Sequence, residues 1–230
     1  MDPHDTLIRT NSRRFSIVER SLDLFRINRF FLRRGTKATV ASGSDIIASP
    51  AHSKVAWVGA VRTGEIFPAK PVLNRKHYWT LNHILWDETT TALFDGGFLF
   101  NLYLSPLNLH YIIAPATCTV EMVRRCPGRC WPIVFWQLGE VENERVIILL
   151  RFDSGQRMVM ALVGSFFVSG IVFLPEPGDV IEKGETIGGF KLGSTVFLAT
   201  ERDLATPLVQ AGQELLLGEP LARFATSRAG

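Results

Sequence analysis

An internal repeat in the last third of the chain constrains the fold more than any other feature. The pattern Gly178-x5-Gly184-Glu185-x-Ile187-x-x-Phe190 recurs further along as Gly212-x5-Gly218-Glu219-x-Leu221-x-x-Phe224. Each copy places glycines at two turns around a short strand and continues with alternating apolar residues. Two copies are too few for a solenoid, so the repeat predicts two related β-hairpins packed face to face in a pseudo-symmetric sandwich.

From residue 46 onward the chain consists of short apolar segments separated by Pro and Gly, as in sheets built from hairpins. Strands are predicted at residues 46–48, 55–61, 98–104, 117–123, 133–137, 146–152, 158–163 and 166–174. A short helix is predicted around residues 78–86. The predicted fold class is therefore mainly β (α+β), a β-sandwich with peripheral helices.

The longest uncharged stretch, residues 158–174, is at the short limit for a membrane-spanning helix. Gly and Ser residues interrupt it, and Val, Ile and Phe are frequent in it. These features favour two buried strands over one long helix.

Residues 1–36 are predicted to form a basic, amphipathic N-terminal helix segment, followed by one folded domain from 37 to 230. The helix begins at the capping box Ser16-Ile17-Val18-Glu19 and ends at Gly35. Residues 1–40 hold nine Lys or Arg against four Asp or Glu, an excess larger than the formal net charge of +3 for the chain. Two interpretations stay open: a surface helix packed on its own domain, or a helix that lies on an anionic membrane surface.

The three cysteines, Cys118, Cys126 and Cys130, form no Cys-x-x-Cys pair and have no His at zinc-finger spacing. They are expected to be reduced thiols of a cytoplasmic protein, because the charged N-terminus lacks the apolar core of a signal peptide. No metal site is expected, since His77 and His83 would lie on different faces of the predicted helix. The aromatic residues are expected in the core or at a membrane edge, so nucleic acid is not an expected partner.

The dipeptide Gly193-Ser194 is capable of a self-cleavage reaction. Its serine can attack the preceding glycine carbonyl, which the missing Cβ of glycine leaves accessible. Elimination from the resulting ester breaks the chain, and hydrolysis leaves a pyruvoyl group on the new N-terminus. Such a ketone binds a substrate amine and accepts the electrons left when carbon dioxide departs. Gly-Ser-Thr alone is a weak signal, so the segments that accompany it decide its meaning.

Several further segments accompany this dipeptide in a fixed order. They are Arg29-Phe30-Phe31-Leu32-Arg33, Phe94-x-Gly-Gly-Phe98, Tyr103-Leu104-Ser105-Pro106-x-x-x-His110, Pro115, Val163-Gly164, Ser169-Gly170-Ile171 and Lys183-Gly184-Glu185-x-x-Gly188-x-Phe190-Lys191-Leu192-Gly193-Ser194-Thr195-Val196. The last segment is the most specific. In these segments and their order the chain resembles the phosphatidylserine decarboxylase family over most of its length.

The resemblance implies a carboxy-lyase with a phosphatidylserine-decarboxylase-like sandwich, cut between Gly193 and Ser194 into two fragments that stay associated. Ser194 would supply the pyruvoyl cofactor for conversion of phosphatidylserine to phosphatidylethanolamine. His110 matches the family histidine that gives or takes a proton during decarboxylation, and His77 and Tyr103 match positions that border the substrate pocket. Expected partners are phosphatidylserine, an anionic phospholipid membrane surface on which the protein lies peripherally, and a second copy of the chain.

Two positions depart from the family pattern. The family activates its serine with an aspartate and a histidine arranged as in a protease triad. Here His52 stands at the aspartate position and Ile113 at the position of the second histidine. In one hypothesis His52 itself accepts the serine proton and cleavage proceeds. In a second, cleavage is lost and the chain is a phospholipid-binding relative without enzymatic activity; in a third, it is a soluble amino-acid decarboxylase on the same fold.

Overall fold

The computed structural model describes residues 39–69, 77–105, 107–133, 135, 137–165, 170–190 and 194–225. The predicted N-terminal helix, within residues 1–36, lies outside these ranges, and so does Gly193. None of the helices inside them is long and apolar enough to cross a bilayer.

Strands dominate the described part of the chain, so the predicted mainly β class is confirmed. The strands are β1 (Ile46–Ala48), β2 (Ser53–Ala60), β3 (Phe67–Pro68), β4 (Tyr78–Trp79), β5 (Phe98–Leu104), β6 (Tyr111–Ile113), β7 (Cys118–Cys126), β8 (Arg145–Arg151), β9 (Arg157–Gly164), β10 (Ile171–Phe173), β11 (Val180–Ile181), β12 (Thr186–Phe190), β13 (Ser194–Thr200), β14 (Ala205–Pro207), β15 (Glu214–Leu215) and β16 (Pro220–Phe224). The helices are α1 (Leu81–Leu85), α2 (Glu88–Ala92) and α3 (Gly139–Glu142).

The largest sheet contains eight antiparallel strands in the order β11-β7-β8-β9-β13-β5-β2-β15. Two three-stranded sheets, β10-β12-β6 and β1-β16-β14, and the short pair β3-β4 complete the sheets of the described residues. Strand β13 pairs with β9 on one side and with β5 on the other. Its first residue, Ser194, therefore lies inside the large sheet, with Gly164 and Leu104 as register partners.

Both faces of the eight-stranded sheet are covered, which explains why its central strands are apolar at nearly every position. On the first face, Val196 and Leu198 share a core with Ile187 of β12 and Leu221 of β16. On the second face, Phe197 belongs to a separate core with residues of β3, β4 and α1. Successive strand residues point to opposite faces of the sheet. A sheet with a core on each face therefore needs apolar residues at both odd and even positions of its strands. Strands β8, β9 and β13 are accordingly buried almost throughout.

The two segments of the C-terminal repeat have the same local structure. Gly178 and Gly212 both have positive φ, and each donates its N–H to a strand of the large sheet, to Val120 at 2.8 Å and to Val55 at 2.7 Å. Strand β12 lies between β10 and β6, as β16 lies between β14 and β1. The two three-stranded sheets thus share one strand arrangement, in which the last strand of each repeat copy is central.

Three local predictions fall on the described residues. The uncharged stretch 158–174 supplies two strands, β9 and β10, as predicted. The helix predicted around 78–86 is shortened, because β4 takes the first two residues and Thr80 caps α1 by accepting the His83 N–H. The strand predicted at 133–137 is wrong at the described residues 133, 135 and 137, which lie in turns; the Phe135 N–H donates to the Pro132 carbonyl at 2.9 Å.

Candidate active site around Ser194

Ser194 is buried at the start of β13, with 1% of its surface exposed. It lies two and four residues before Val196 and Leu198 in the same strand, so its side chain points to the same, first face. The Oγ atom makes no hydrogen bond with any described residue. Because an unsatisfied buried polar group costs about 1–3 kcal/mol of stability, this hydroxyl calls for an explanation other than packing.

His110 belongs to the sheet that covers the first face. It directly precedes β6, is fully buried, and its carbonyl accepts the Phe190 N–H at 2.9 Å. Phe190 ends β12, which precedes Ser194 along the chain. The ring Nδ1 of His110 lies 2.9 Å from the Asn108 carbonyl oxygen. Both the backbone and the ring of His110 are therefore fixed beside the strand that leads to Ser194.

A tight loop connects His110 to the other neighbour of Ser194. Leu104, the register partner of Ser194 in β5, begins this loop. The chain turns back at once, because the Asn108 N–H donates to the Ser105 carbonyl at 3.0 Å and the Ser105 hydroxyl donates to Asn108 Oδ1. His110 is thus connected to both neighbours of Ser194: to β5 through this loop, and to the end of β12 through the bond with Phe190.

His52 joins the same group. It directly precedes β2; its Nδ1 accepts the Leu109 N–H at 3.4 Å, and its carbonyl accepts a hydrogen bond from Asn108 Nδ2 at 3.1 Å. The structure therefore brings Ser194, His110 and His52 to one edge of the large sheet. We call this edge, where β5, β7 and β9 end and β2, β8 and β13 begin, the Ser194 edge.

Ile113, at the position of the family's second histidine, is buried in β6. Its N–H donates to the Pro50 carbonyl at 3.0 Å, which aligns the segment before His52 with β6. An isoleucine cannot carry a proton. His52 and His110 are the described histidines that hydrogen bonds with Asn108 and Leu109 bring to the Ser194 edge.

Tyr103 and His77 lie on the second face, away from the Ser194 side chain. Tyr103 precedes Leu104, whose side chain packs on the first face, and burial raises the pKa of the Tyr103 hydroxyl. The His77 ring stacks on Trp79, with centroids 5.7 Å apart, in the second-face core. Their part in substrate binding stays a prediction, and the structure does not bring their side chains together with Ser194.

Two buried asparagines that the sequence motifs did not include organise this edge. Asn108 contacts both histidines. Asn143 donates to the Gly164 carbonyl at 2.8 Å and holds Trp131 through that residue's N–H and carbonyl, each at 2.7 Å. Because Gly164 pairs with Ser194 in register, Asn143 ties a loop of the edge to the strand beside the serine. In the sequence, each of these asparagines is recognisable only as a polar residue close to apolar strands. Many loop residues have this property, so it could not single them out.

The surroundings of Ser194 fit a pyruvoyl group made from that residue. The hydroxyl has no hydrogen bond to a described residue that conversion would break. The first face around it is apolar and closed by a second sheet, and His110 supplies a group able to transfer protons. Among the described residues, no group of three or more His, Cys, Asp or Glu side chains is placed to hold a metal ion.

Comparison with known proteins decides the family. A family model described as phosphatidylserine decarboxylase matches residues 27–223. The chain belongs to the phosphatidylserine decarboxylase family. The resemblance inferred from the sequence segments is thereby confirmed, and with it the enzyme class, since this is a family of carboxy-lyases.

Individual relatives agree with the family match. A phosphatidylserine decarboxylase proenzyme from Anaeromyxobacter sp. (strain K) is 30% identical over 228 residues, 87% of this chain and 79% of the relative. One from Brevibacillus brevis is 28% identical over 90% of this chain and 82% of the relative. One from Alcanivorax borkumensis is 32% identical over 74% of this chain and 66% of the relative. The similarity therefore extends well beyond the segment around Ser194.

Proposed function

We propose that this chain is the precursor of a pyruvoyl-dependent decarboxylase that converts phosphatidylserine, or a related amine-bearing substrate, to phosphatidylethanolamine or the corresponding amine. Family membership and the name proenzyme carried by its relatives support this proposal. The observation that carries it is the buried Ser194 hydroxyl, which has no hydrogen bond to a described residue and faces the sheet that holds His110.

Self-cleavage begins with attack of Ser194 Oγ on the Gly193 carbonyl carbon. The peptide C–N bond breaks, the amine takes a proton, and an ester joins the two residues. Elimination across the Cα–Cβ bond of Ser194 releases residues 1–193 with a new carboxylate. Hydrolysis with loss of ammonia then leaves the pyruvoyl group at the start of the 194–230 fragment. When bound to substrate, this group accepts the electrons that remain as carbon dioxide departs.

His110 is the proposed proton-transfer residue during decarboxylation. It is buried, and its position is set by the Phe190 N–H and the Asn108 carbonyl. A histidine held in a closed, apolar site can exchange a proton with a carbon centre while the packed sheets exclude bulk water. His110 would thus transfer a proton to or from a substrate bound at the position of Ser194.

A phospholipid bilayer is the proposed surface on which the enzyme works. Leu107 and Phe135 lie on loops of the Ser194 edge and are 74% and 62% exposed. Large exposed apolar side chains beside a site for a lipid substrate favour contact with the membrane that contains the lipid. The basic segment 1–36 would add attraction to anionic headgroups.

The proposal is tested by the intact mass of the purified chain and by release of carbon dioxide from phosphatidylserine vesicles. We expect two fragments divided at 193/194 and activity that Ser194→Ala abolishes. Thr195→Val is the matched control, because it removes a buried hydroxyl from the next residue, whose side chain points to the opposite face. A parent chain that stays intact in the presence of phosphatidylserine vesicles would contradict the proposal.

A second candidate, a phospholipid-binding relative that is not cleaved, is favoured by Ile113. This buried isoleucine removes an ionisable group from the sheet that covers Ser194. The same experiment separates the two candidates: the second requires an intact chain that sediments with anionic vesicles and releases no carbon dioxide. A chain that is cleaved but acts only on free amino acids would instead indicate a soluble decarboxylase.

A further inference from the structure

Among the described residues, two histidines of the Ser194 edge, His52 and His110, are hydrogen-bonded to Asn108 or Leu109, and of these two His110 is held in the tautomer that can accept the serine proton at Nε2. We propose that His110, and not His52, accepts the Ser194 hydroxyl proton during self-cleavage. His52 is then a positioning residue that acts through the loop before His110. This inference rests on the proposed function and assigns the proton transfer within it.

The hydrogen-bond partners define the form of each ring. A neutral imidazole has one N–H and one nitrogen lone pair. His110 Nδ1 lies 2.9 Å from the Asn108 carbonyl, which can only accept, so Nδ1 carries the hydrogen and the lone pair is on Nε2. His52 Nδ1 accepts from the Leu109 N–H at 3.4 Å, so the hydrogen of that ring is on Nε2. The two rings are opposite tautomers, and for His52 to take up a proton the bond to Leu109 would have to be given up.

The fold also places His110 on the correct side of the sheet. Ser194 points to the first face, which β6 and β12 cover. His110 directly precedes β6 and is bonded to the last residue of β12. His52, in contrast, reaches this region through Leu109 and Asn108, the two residues that precede His110. Its contacts fix the loop that carries His110.

The proton transfer balances without any added reactant. Ser194 Oγ, which is not hydrogen-bonded to His110 in the structure, approaches His110 Nε2, gives it the hydroxyl proton and forms a bond to the Gly193 carbonyl carbon. As the Gly193–Ser194 C–N bond breaks, the imidazolium returns the proton to the departing amine. The peptide bond is replaced by an ester, and His110 is neutral again, ready for proton transfer in decarboxylation.

Two asparagine substitutions form a matched test in the full-length chain. His110→Asn keeps a side-chain N–H for the Asn108 carbonyl, and His52→Asn keeps a side-chain oxygen for the Leu109 N–H; neither new side chain is a base. Cleavage is followed by intact mass during cell-free synthesis. We expect His110→Asn to slow cleavage by at least about 100-fold, the usual contribution of a general base, and His52→Asn to slow it by less than about tenfold. His52→Ala, which loses the bond to Leu109, should be slower than His52→Asn.

The pH profile adds a readout that does not depend on whether the His110 variant folds. The cleavage rate of the parent should fall as the pH is lowered, because the accepting imidazole becomes protonated. His52→Asn should show the same decline; a rate independent of pH in this variant would identify His52 as the base and overturn the proposal. Cleavage of His110→Asn at the parent's rate would overturn it as well. A parent that is never cleaved would instead refute the proposed function, and this inference with it.

Discussion

Cys118 and Cys130 differ in burial, which affects the reactivity of a thiol. Cys118 is buried, and desolvation raises the pKa of its thiol from 9.0 to about 12, whereas Cys130 is half-buried. Because the thiolate is the reactive form, iodoacetamide at pH 8 should label Cys130 and leave Cys118 unmodified in the native protein. Peptide mass mapping checks this result, with urea-denatured protein as the control in which Cys118 is labelled.

The raised pKa of the Cys118 thiol also has a consequence for stability. The thiol of Cys118 is ionised more easily in the unfolded chain than in the folded one, so stability falls as the pH rises from about 9 towards 12. Cys118→Ala should reduce this loss in alkaline urea titrations. In the iodoacetamide experiment, equal labelling of Cys118 and Cys130 in the native protein would contradict the burial of Cys118.

Asn108 shows what single positions in the sequence could not reveal. Ser194 and His110 could be selected from motifs, because both stand in segments with a characteristic order. The role of Asn108 depends on three contacts, to Ser105, His52 and the His110 ring, that exist only after the loop folds back on itself. The tautomers of both histidines follow from such contacts and therefore could not be predicted.

The loops of the Ser194 edge are predicted to bind membranes. Leu107→Asp combined with Phe135→Asp should weaken sedimentation with anionic phospholipid vesicles by about tenfold or more, because each exposed side chain would otherwise be buried in lipid. Val180→Asp is the matched control: this residue is 68% exposed but pairs with Thr119, at the opposite edge of the large sheet. Equal loss of binding in both variants would contradict contact through the Ser194 edge.

The accuracy of the strand predictions depended on the surroundings of each element. Strands β1 and β5 have the predicted bounds, since both are continuous apolar segments with clear flanking residues. The segment 133–137 is also largely apolar but follows Pro132, and its described residues lie in turns; the Ile133 N–H donates to Ser165 Oγ at 2.9 Å. Apolar character predicted a strand here, and tertiary contacts decide that the described residues lie in turns instead.

After cleavage the protein would be a complex of two chains that share one sheet. The 194–230 fragment contributes β13 to the centre of the large sheet and β16 to the centre of a three-stranded sheet. The fragments should therefore remain together in gel filtration, yet refold from urea with a yield that rises with protein concentration. Single-chain Ser194→Ala should refold with a yield independent of concentration. Separation of the fragments in native buffer would contradict this arrangement.

At the level of the complete domain, the strand pairing differs from the two β-hairpins, packed face to face, that the repeat predicted. Both copies have glycine turns with positive φ, but neither folds into a hairpin of its own: β12 and β16 pair in the three-stranded sheets, whereas β11 and β15 join the large sheet. The sequence contained no indication that β13 would insert between β9 and β5, because such pairing joins segments far apart along the chain. The position of Ser194 inside a sheet is the part of the site that had to be observed.

The central position of β13 also governs when the chemistry could take place. The neighbours of Ser194 in the large sheet, β5 and β9, are synthesised before the serine. The sheet β1-β16-β14, in contrast, needs β14 and β16, which are synthesised after it. In a chain still attached to the ribosome, Ser194 would already be present while the sheet β1-β16-β14 was still incomplete. Cleavage would then act as a checkpoint: only molecules that have completed folding would gain the catalytic group, and unfolded molecules would remain inert.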